Sequence, residues 1–349
     1  MDVAVTLDTL LAQSGPILAL APMQDVTDHR FWQVLARRGG ADVYYTEYFR
    51  VHATSVPERW IVDSITANPT GRPVIAQMIG NDVGALLRTA RVLEELPVTA
   101  IDLNLGCPAP VVYRKCAGGG LLREPDRVDT ILGALREGLR LPFTVKTRLG
   151  FASPAVFEQL LPIFARHRLD LLTVHARTVA EMYRSEAHYE FIARAVAALP
   201  FPVLANGNVS SARKGLDVLA QTGARGLMIG RGAIRNPWIF DQFRALQRGE
   251  TPVQPVGREV LAYVLELFDA MHHEGFTEHS HVTRMKKFMN FVGLGVEPSG
   301  RFLHEIRRVT RREGFMDVCR AFLDHGDPMP LEPFPLPLKE GDFLAGEHG

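Results

Sequence analysis

Residues 203–232 read V-L-A-N-G-N-V-S-S-A-R-K-G-L-D-V-L-A-Q-T-G-A-R-G-L-M-I-G-R-G. Two short apolar runs, 203–209 and 226–231, enclose an amphipathic stretch, and each run ends in glycine and polar residues. Apolar runs of this kind suit strands buried on both faces, and their alternation with helical stretches is the pattern of parallel strands joined by crossover helices. Outward toward the N-terminus the same run recurs at 17–22, 43–47, 74–80, 100–107, 143–150 and 171–177. Eight runs predict an α/β fold, a closed (β/α)8 TIM barrel. An open doubly wound sheet would call for a G-x-G-x-x-G turn after an early strand, and none follows 17–22 or 43–47.

In such a barrel the C-terminal strand ends point into one mouth, so Met23, Gln77, Asn104, Cys107, Lys146, His175, Asn206 and Arg231 are expected to converge there. The chain has 349 residues, longer than the ~250 of a typical barrel. The barrel is assigned to residues 1–250. A Pro-rich joint at 251–257 leads into stretches with helical apolar spacing at about 258–274, 280–293 and 299–324, read as a small C-terminal helical domain over 255–326. Residues 327–349 are rich in proline and acidic residues without periodicity, and an extended or disordered tail is expected.

Hydrophobic residues make up 46% and charged residues 22%, the balance of a globular protein with a sizeable core. Formal net charge is zero, so only a local excess of basic residues can argue for a polyanionic partner. Three cysteines are too few and too scattered for a disulfide framework or a paired-cysteine metal site. Asp2 and Asp8 stand where a secretory signal would be basic, and no apolar run reaches the ~20 residues of a membrane span. A cytoplasmic protein without membrane attachment is expected.

The most informative stretch is 101–122, I-D-L-N-L-G-C-P-A-P-V-V-Y-R-K-C-A-G-G-G-L-L. It delivers Asn104 and then Cys107 just past a strand end, where a thiol of ordinary pKa near ~8.5 is protonated at neutral pH and can serve as a general acid. A small apolar turn residue is the plainer reading. Lys146 and Arg148 share one face of their strand, and a lysine aimed into a barrel mouth calls for an anion, either a structural carboxylate or the electron-rich edge of a reduced flavin. His175 is either a core histidine or a cofactor contact at the same mouth. Asn206, Gly207 and Asn208, with Gly230 and Arg231, stand where barrels of this kind bind phosphate.

Taken together, A-P-M-Q-D-V-T-D at 21–28, N-L-G-C-P at 104–108 with A-G-G-G-L-L at 117–122, V-K-T-R-L-G at 145–150, V-H-A-R-T at 174–178, N-G-N at 206–208 and I-G-R-G at 229–232 resemble the tRNA-dihydrouridine synthases. The resemblance covers about 17–325. It implies an FMN-containing barrel, with NADPH or NADH as electron donor, that reduces particular uridines of tRNA. Carried across, it places Pro22, Met23 and Gln24 against the flavin, Gln77, Asn104, Lys146 and His175 near its ring, and Asn206, Gly207, Asn208, Gly230 and Arg231 on its phosphate. Cys107 becomes the proton donor to C5 of the uracil. Two positions depart from the family pattern: Asp25 replaces a usual glycine and Asn208 a frequent acidic residue.

Between 280 and 312 eight basic residues face two acidic ones, an excess of six in a neutral chain. RNA contacts are expected from Arg284, Lys286, Lys287, Arg307, Arg308 and Arg311, with Arg148 and Arg177 at the barrel mouth. A base buried in a barrel must be extruded from its stack, and Tyr44, Tyr45, Tyr48 and Tyr113 are candidates to line its path. No obligate protein partner is evident; a monomer is expected, since a substrate as large as tRNA needs an open face. Three alternatives stay open: an FMN barrel acting on a small molecule such as a free pyrimidine, a catalytically silent RNA-binding scaffold, and a metal site from His272, His273, His279 and His281. The preferred reading has no metal.

Overall fold

Phe143–Arg148 shows why these runs are strands: Phe143, Val145 and Thr147 alternate with Thr144, Lys146 and Arg148, and both sets are buried save for part of Lys146. A parallel sheet covered by helices gives both sets an interior, and here the sheet also closes on itself. The computed structural model describes residues 6–335. Its strands are β1 (Ile17–Leu20), β2 (Val43–Tyr45), β3 (Phe49–Arg50), β4 (Val74–Ile79), β5 (Ala100–Leu105), β6 (Phe143–Arg148), β7 (Leu171–His175), β8 (Val203–Asn206) and β9 (Gly226–Ile229). All pair in parallel, and β1 bonds both β2 and β9, while β2 bonds β4, so eight strands close a barrel.

The run at 43–47 is interrupted. β3 continues on the same neighbour, pairing Phe49 with Met78, after a break at 46–48. There the Thr46 hydroxyl accepts from Gln77 N (3.0 Å), standing in for a backbone carbonyl. The break turns Glu47 and Tyr48 out of the ladder.

Register fixes which side chains share the interior. Toward the strand starts it is apolar, with Ile17, Ala19, Val43, Tyr45, Ile75, Ala100, Leu171, Leu204 and Met228 in one cluster. Leu7 and Leu10 of the short helix Leu7–Leu11 belong to that cluster, so this helix plugs the N-terminal end of the barrel. Toward the strand ends the paired positions become polar: Gln77, Asp102 and Thr144, then Asn104, Lys146 and Thr173, then Arg148, His175 and Asn206.

Packing divides the described residues into two units. One runs up to His29 and includes Ala41–Val209 and Gly215–Ile229, hence every strand; the other takes Arg30–Gly40, Ser210–Lys214 and the chain from Gly230 onward. In the second unit, helix Gly257–Ala270 packs on Arg312–Leu323, and Glu278–Val292 on Arg231–Arg235. The stretch 299–324, expected as one helix, is two, Arg301–Ile306 and Arg312–Leu323, because Arg311 turns extended (φ −121°, ψ 155°). Residues 327–335 run extended along this unit: Met329 N donates to Pro255 O (2.8 Å) and Phe334 N to Leu294 O (2.8 Å). The remainder of the expected tail, 336–349, lies outside the described residues.

Candidate active site

Cys107 is held by its own strand. β5 ends at Leu105, and the Asn104 side-chain oxygen accepts from Gly106 N and Cys107 N, both at 2.9 Å, closing a turn that replaces the lost ladder bonds. From the other side, Gly119 N donates to Cys107 O (3.2 Å). The glycines at 118–120 are needed for this approach: a Cβ on Gly119 would lie 2.5 Å from Val179 Cγ2 and 2.8 Å from Cys107 O, and one on Gly120 2.5 Å from Tyr113 O. The Gly-rich segment is therefore a buttress under the cysteine loop. Cys107 is half-buried and outside any disulfide, as is Cys116, whereas burial pushes the Cys319 thiol up to about 12.

Asn104 is the top of a buried ladder. Its amide nitrogen donates to Gln77 Oε1 (2.8 Å), Gln77 Nε2 to Asp102 Oδ2 (2.7 Å) and Thr144 Oγ1 to Asp102 Oδ1 (2.6 Å). Asp102 is fully buried, and burial raises its carboxyl to about 6 against the pull of Thr144, Gln77 and Lys146. Burial likewise lowers Lys146 to about 8, Arg148 adding to the effect while Asp102 and Cys107 oppose it. Lys146 still keeps part of its surface open at the mouth. Asp102 was not singled out from sequence; its signal is an acidic residue inside an apolar strand, two before Asn104 and so on the same face.

Beside this ladder Arg148 is buried, its Nε donating to Gly106 O (3.0 Å) and its Nη1 to Thr178 O (2.8 Å) and Met182 O (2.7 Å). Arg177 is 1% exposed and donates to Ser185 O (2.7 Å). Both were expected to contact RNA; in the fold their guanidinium groups also tie down the loop 178–188. That loop is further tied by Glu181, which accepts from Thr178 N (2.6 Å) and pairs with His188 Nε2 (2.7 Å). Burial raises the Glu181 carboxyl, but the hydrogen bonds from His188 and Thr178 outweigh it and bring it to about 2. Tyr183 from this loop sets its ring 6.1 Å from that of His175 and 5.1 Å from the Arg148 guanidinium.

After β1, Met23 N donates to Thr27 Oγ1 (2.8 Å) and Val26 N to Glu47 Oε1 (3.1 Å), which shapes the turn carrying Pro22, Met23 and Gln24. Gln24 Oε1 is buried and meets no donor among the described residues. Asp25 (φ 61°) and Asn208 (φ 49°), the two departures from the family pattern, are both left-handed, a region Asp and Asn enter more readily than other side-chain residues. Gly207 (φ 120°) precedes Asn208, so two successive residues with positive φ follow β8. Asn206 Nδ2 donates to Met228 O (2.8 Å). Gly230 and Arg231 follow β9 directly, at the start of helix Arg231–Arg235 in the second unit.

Of the four tyrosines, Tyr44 and Tyr45 are fully buried and line no path; the Tyr44 hydroxyl accepts from Ala41 N (3.1 Å) and Tyr45 fills the barrel. Tyr113 packs edge-on to Phe151 (5.2 Å). Tyr48 alone reaches the cysteine. In the second unit Arg308 and Arg311 are exposed, while Arg284, Lys286, Lys287 and Arg307 are half-buried; Arg307 donates to Asn290 Oδ1 (2.9 Å). His281 Nε2 donates to Phe268 O (2.8 Å), and no group of three or more His, Cys, Asp or Glu among the described residues could hold a metal ion. None of their helices is long and apolar enough to cross a membrane.

The sequence model of the family described as dihydrouridine synthase (Dus) matches residues 19–325. The tRNA-dihydrouridine(16) synthase of Neisseria meningitidis serogroup A / serotype 4A is 29% identical over 313 residues, 87% of this chain and 94% of that protein. The tRNA-dihydrouridine synthase B of Pseudomonas aeruginosa is 36% identical over 258 residues, 73% and 77% respectively. Among solved structures, histamine dehydrogenase from Rhizobium sp. 4-9 aligns with a TM-score of 0.51 at 13% identity over 81% of this chain and 51% of that one. A 2-naphthoyl-CoA reductase complex aligns with the same TM-score at 11% identity, over 67% and 50%. The chain spans about half the length of these two structures, and the likeness is one of fold. With a match covering nearly the whole barrel and the helical region after it, the chain belongs to the dihydrouridine synthase family.

Proposed function

We propose that this protein reduces the C5–C6 double bond of uridines in tRNA to 5,6-dihydrouridine, with Cys107 as the proton donor to C5. The observation that carries the reading is the thiol at the barrel mouth, fixed by Asn104 above the Gln77–Asp102–Thr144 ladder. The donor set fits a flavin mononucleotide. Lys146 offers a cation to an electron-rich ring, Gln77 and Asn104 lie at the mouth, and Gln24 Oε1 is a buried acceptor in want of a donor. Pro22, Met23 and His175 would complete the ring pocket, and Asn206, Gly207, Asn208, Gly230 and Arg231 would hold the phosphate. Once reduced by NADPH or NADH, a flavin held there would supply the hydride for C6.

The protein's own task is the proton. The S–H bond of Cys107 breaks, the C5–H bond forms, and the electron pair stays on sulfur as thiolate, which the Lys146 ammonium favours. Arg284, Lys286, Lys287, Arg307, Arg308 and Arg311 would bind the RNA backbone. The same reading has the protein act as a cytoplasmic monomer. The test is the absorbance of the purified protein under anaerobic conditions. Flavin bands that bleach with NADPH and return on adding unmodified tRNA, with dihydrouridine formed by the wild type and lost at least ~100-fold in Cys107→Ala, support it. A reduced flavin that ignores tRNA but is reoxidised by a free pyrimidine would replace it with the small-molecule reading, and a colourless protein with the scaffold reading.

A further inference from the structure

Tyr48 is placed by the interruption between β2 and β3, and its hydroxyl oxygen lies 4.0 Å from Cys107 Sγ, the thiol donating. It is a polar group brought to the proposed acid by a break in the sheet, and the reaction as derived gives it no task. We propose that Tyr48 is the positioning partner of Cys107: it accepts the thiol's hydrogen bond before proton delivery and donates one to the thiolate afterwards. The inference rests on reading Cys107 as the proton donor.

The direction of the bond is what makes the pair useful. While the thiol is intact, its proton is steered along one line rather than rotating freely. Once the proton has gone to carbon, the electron pair remains on sulfur, and only a group that still holds a proton can stabilise it. Tyr48 is such a group. Burial, and then the negative charge of Cys107 itself, hold its hydroxyl protonated well above the ordinary tyrosine range; Asp25 adds to this and Arg50 opposes it. Its O–H bond therefore does not break; the hydroxyl rotates and donates. A hydrogen bond to an anion is stronger than one to a neutral group, so the hydroxyl favours the thiolate over the thiol and makes Cys107 the stronger acid.

The charged groups facing the pair come from three other segments: Lys146 from β6, with Arg148 beside it, Arg50 from β3, and Asp25 from the turn after β1. Lys146 and Arg50 favour the thiolate, and Asp25 disfavours it. Arg50 also sets its guanidinium 5.9 Å from the Tyr48 ring, which holds the phenol in place from its outer side. Tyr48→Phe removes the hydroxyl while leaving the ring, this contact and all four charges.

The experiment is the pH dependence of iodoacetamide alkylation of the flavin-loaded protein, followed on the Cys107 peptide by mass spectrometry. The Cys116 peptide, which lacks such a partner, is the internal reference. In Tyr48→Phe the Cys107 midpoint should rise by about one pH unit while that of Cys116 stays put. A Cys107 midpoint that does not move, or that falls, overturns the proposal, as does an equal shift in both peptides. Because no RNA is present, the outcome stands apart from that of the proposed function: a protein inactive on tRNA whose Cys107 midpoint still responds would sink that function and leave the pair intact.

Discussion

Lys146 is the residue whose chemistry most depends on where the fold has put it. An ordinary lysine titrates near 10.5, and this one near 8, first through burial and then through Arg148. Below pH 8 the ammonium is charged in both folded and unfolded chains, and the fold carries the full cost of burying it. Between 8 and 10.5 the unfolded chain binds the extra proton, so stability rises with pH. Asp102 runs the other way: its folded carboxyl titrates near 6 against 3.8, so its contribution is full below 3.8 and lost as pH climbs to about 6. Lys146→Met removes the upper titration. Urea unfolding should show the wild type gaining on the variant by about 1–3 kcal/mol between pH 8 and 10.5, the lower figure reflecting the part of Lys146 open at the mouth. A difference that stays flat across that window would mean that the lysine is not buried as a cation. At this scale the sequence yielded Cys107, Asn104 and Lys146, because strand ends in a barrel are predictable. It did not yield Asp102, whose sign is one acidic residue inside an apolar strand and whose partners Gln77 and Thr144 lie on the two neighbouring strands, or the part of Tyr48, which reaches Cys107 from beyond a break in its strand.

The eight barrel strands were legible because burial on both faces writes a dense apolar run, though each observed strand but one stops two or more residues short of the expected end. The excess is where the polar mouth begins: Cys107 lies past β5 and Arg177 past β7. The plug helix Leu7–Leu11 was not foreseen, since five residues are too few to show a helical period. Nor was the 3-10 segment Gly118–Arg123, whose glycines read as a loop from sequence and are a packing surface in the fold. Gly119→Ala tests that surface. Its new Cβ would meet Val179 Cγ2 and the Cys107 carbonyl far inside contact distance, so the buttress has to shift. We expect a loss of about 1–3 kcal/mol in unfolding free energy and a slower single-turnover reduction of tRNA, since the cysteine loop moves with its support. Gly15→Ala, with no atom within 4 Å of its Cβ, serves as the control and should be close to neutral. Equal behaviour of the two variants would show that the Gly-rich segment yields without disturbing Cys107.

For the molecule as a whole, Lys and Arg number 39 and Asp and Glu 39, so no long-range field draws a polyanion toward it. Affinity for RNA has to come from where the charge is concentrated, and the excess of six between 280 and 312 is the concentration the sequence offers. The fold narrows it. Arg307 is engaged by Asn290, Arg301 pairs with Glu305 (3.1 Å), and Arg312 lies 3.9 Å from Asp269; Arg308, which donates to His304 O (2.7 Å), and Arg311 are exposed in the stretch that joins two helices. Each phosphate contact releases counterions, so binding weakens linearly with the logarithm of salt concentration, by roughly 0.7–0.9 of a slope unit per contact. Arg308→Ala with Arg311→Ala should therefore weaken unmodified tRNA binding across all sequences tested and flatten the slope by between one and two units, roughly, in a titration from about 50 to 300 mM KCl. The absorbance spectrum and its bleaching by NADPH should be untouched, because neither arginine is among the residues proposed to hold the flavin ring or its phosphate. If the slope is unchanged while catalysis on tRNA persists, the basic stretch is a solvated surface and the RNA is held by other residues.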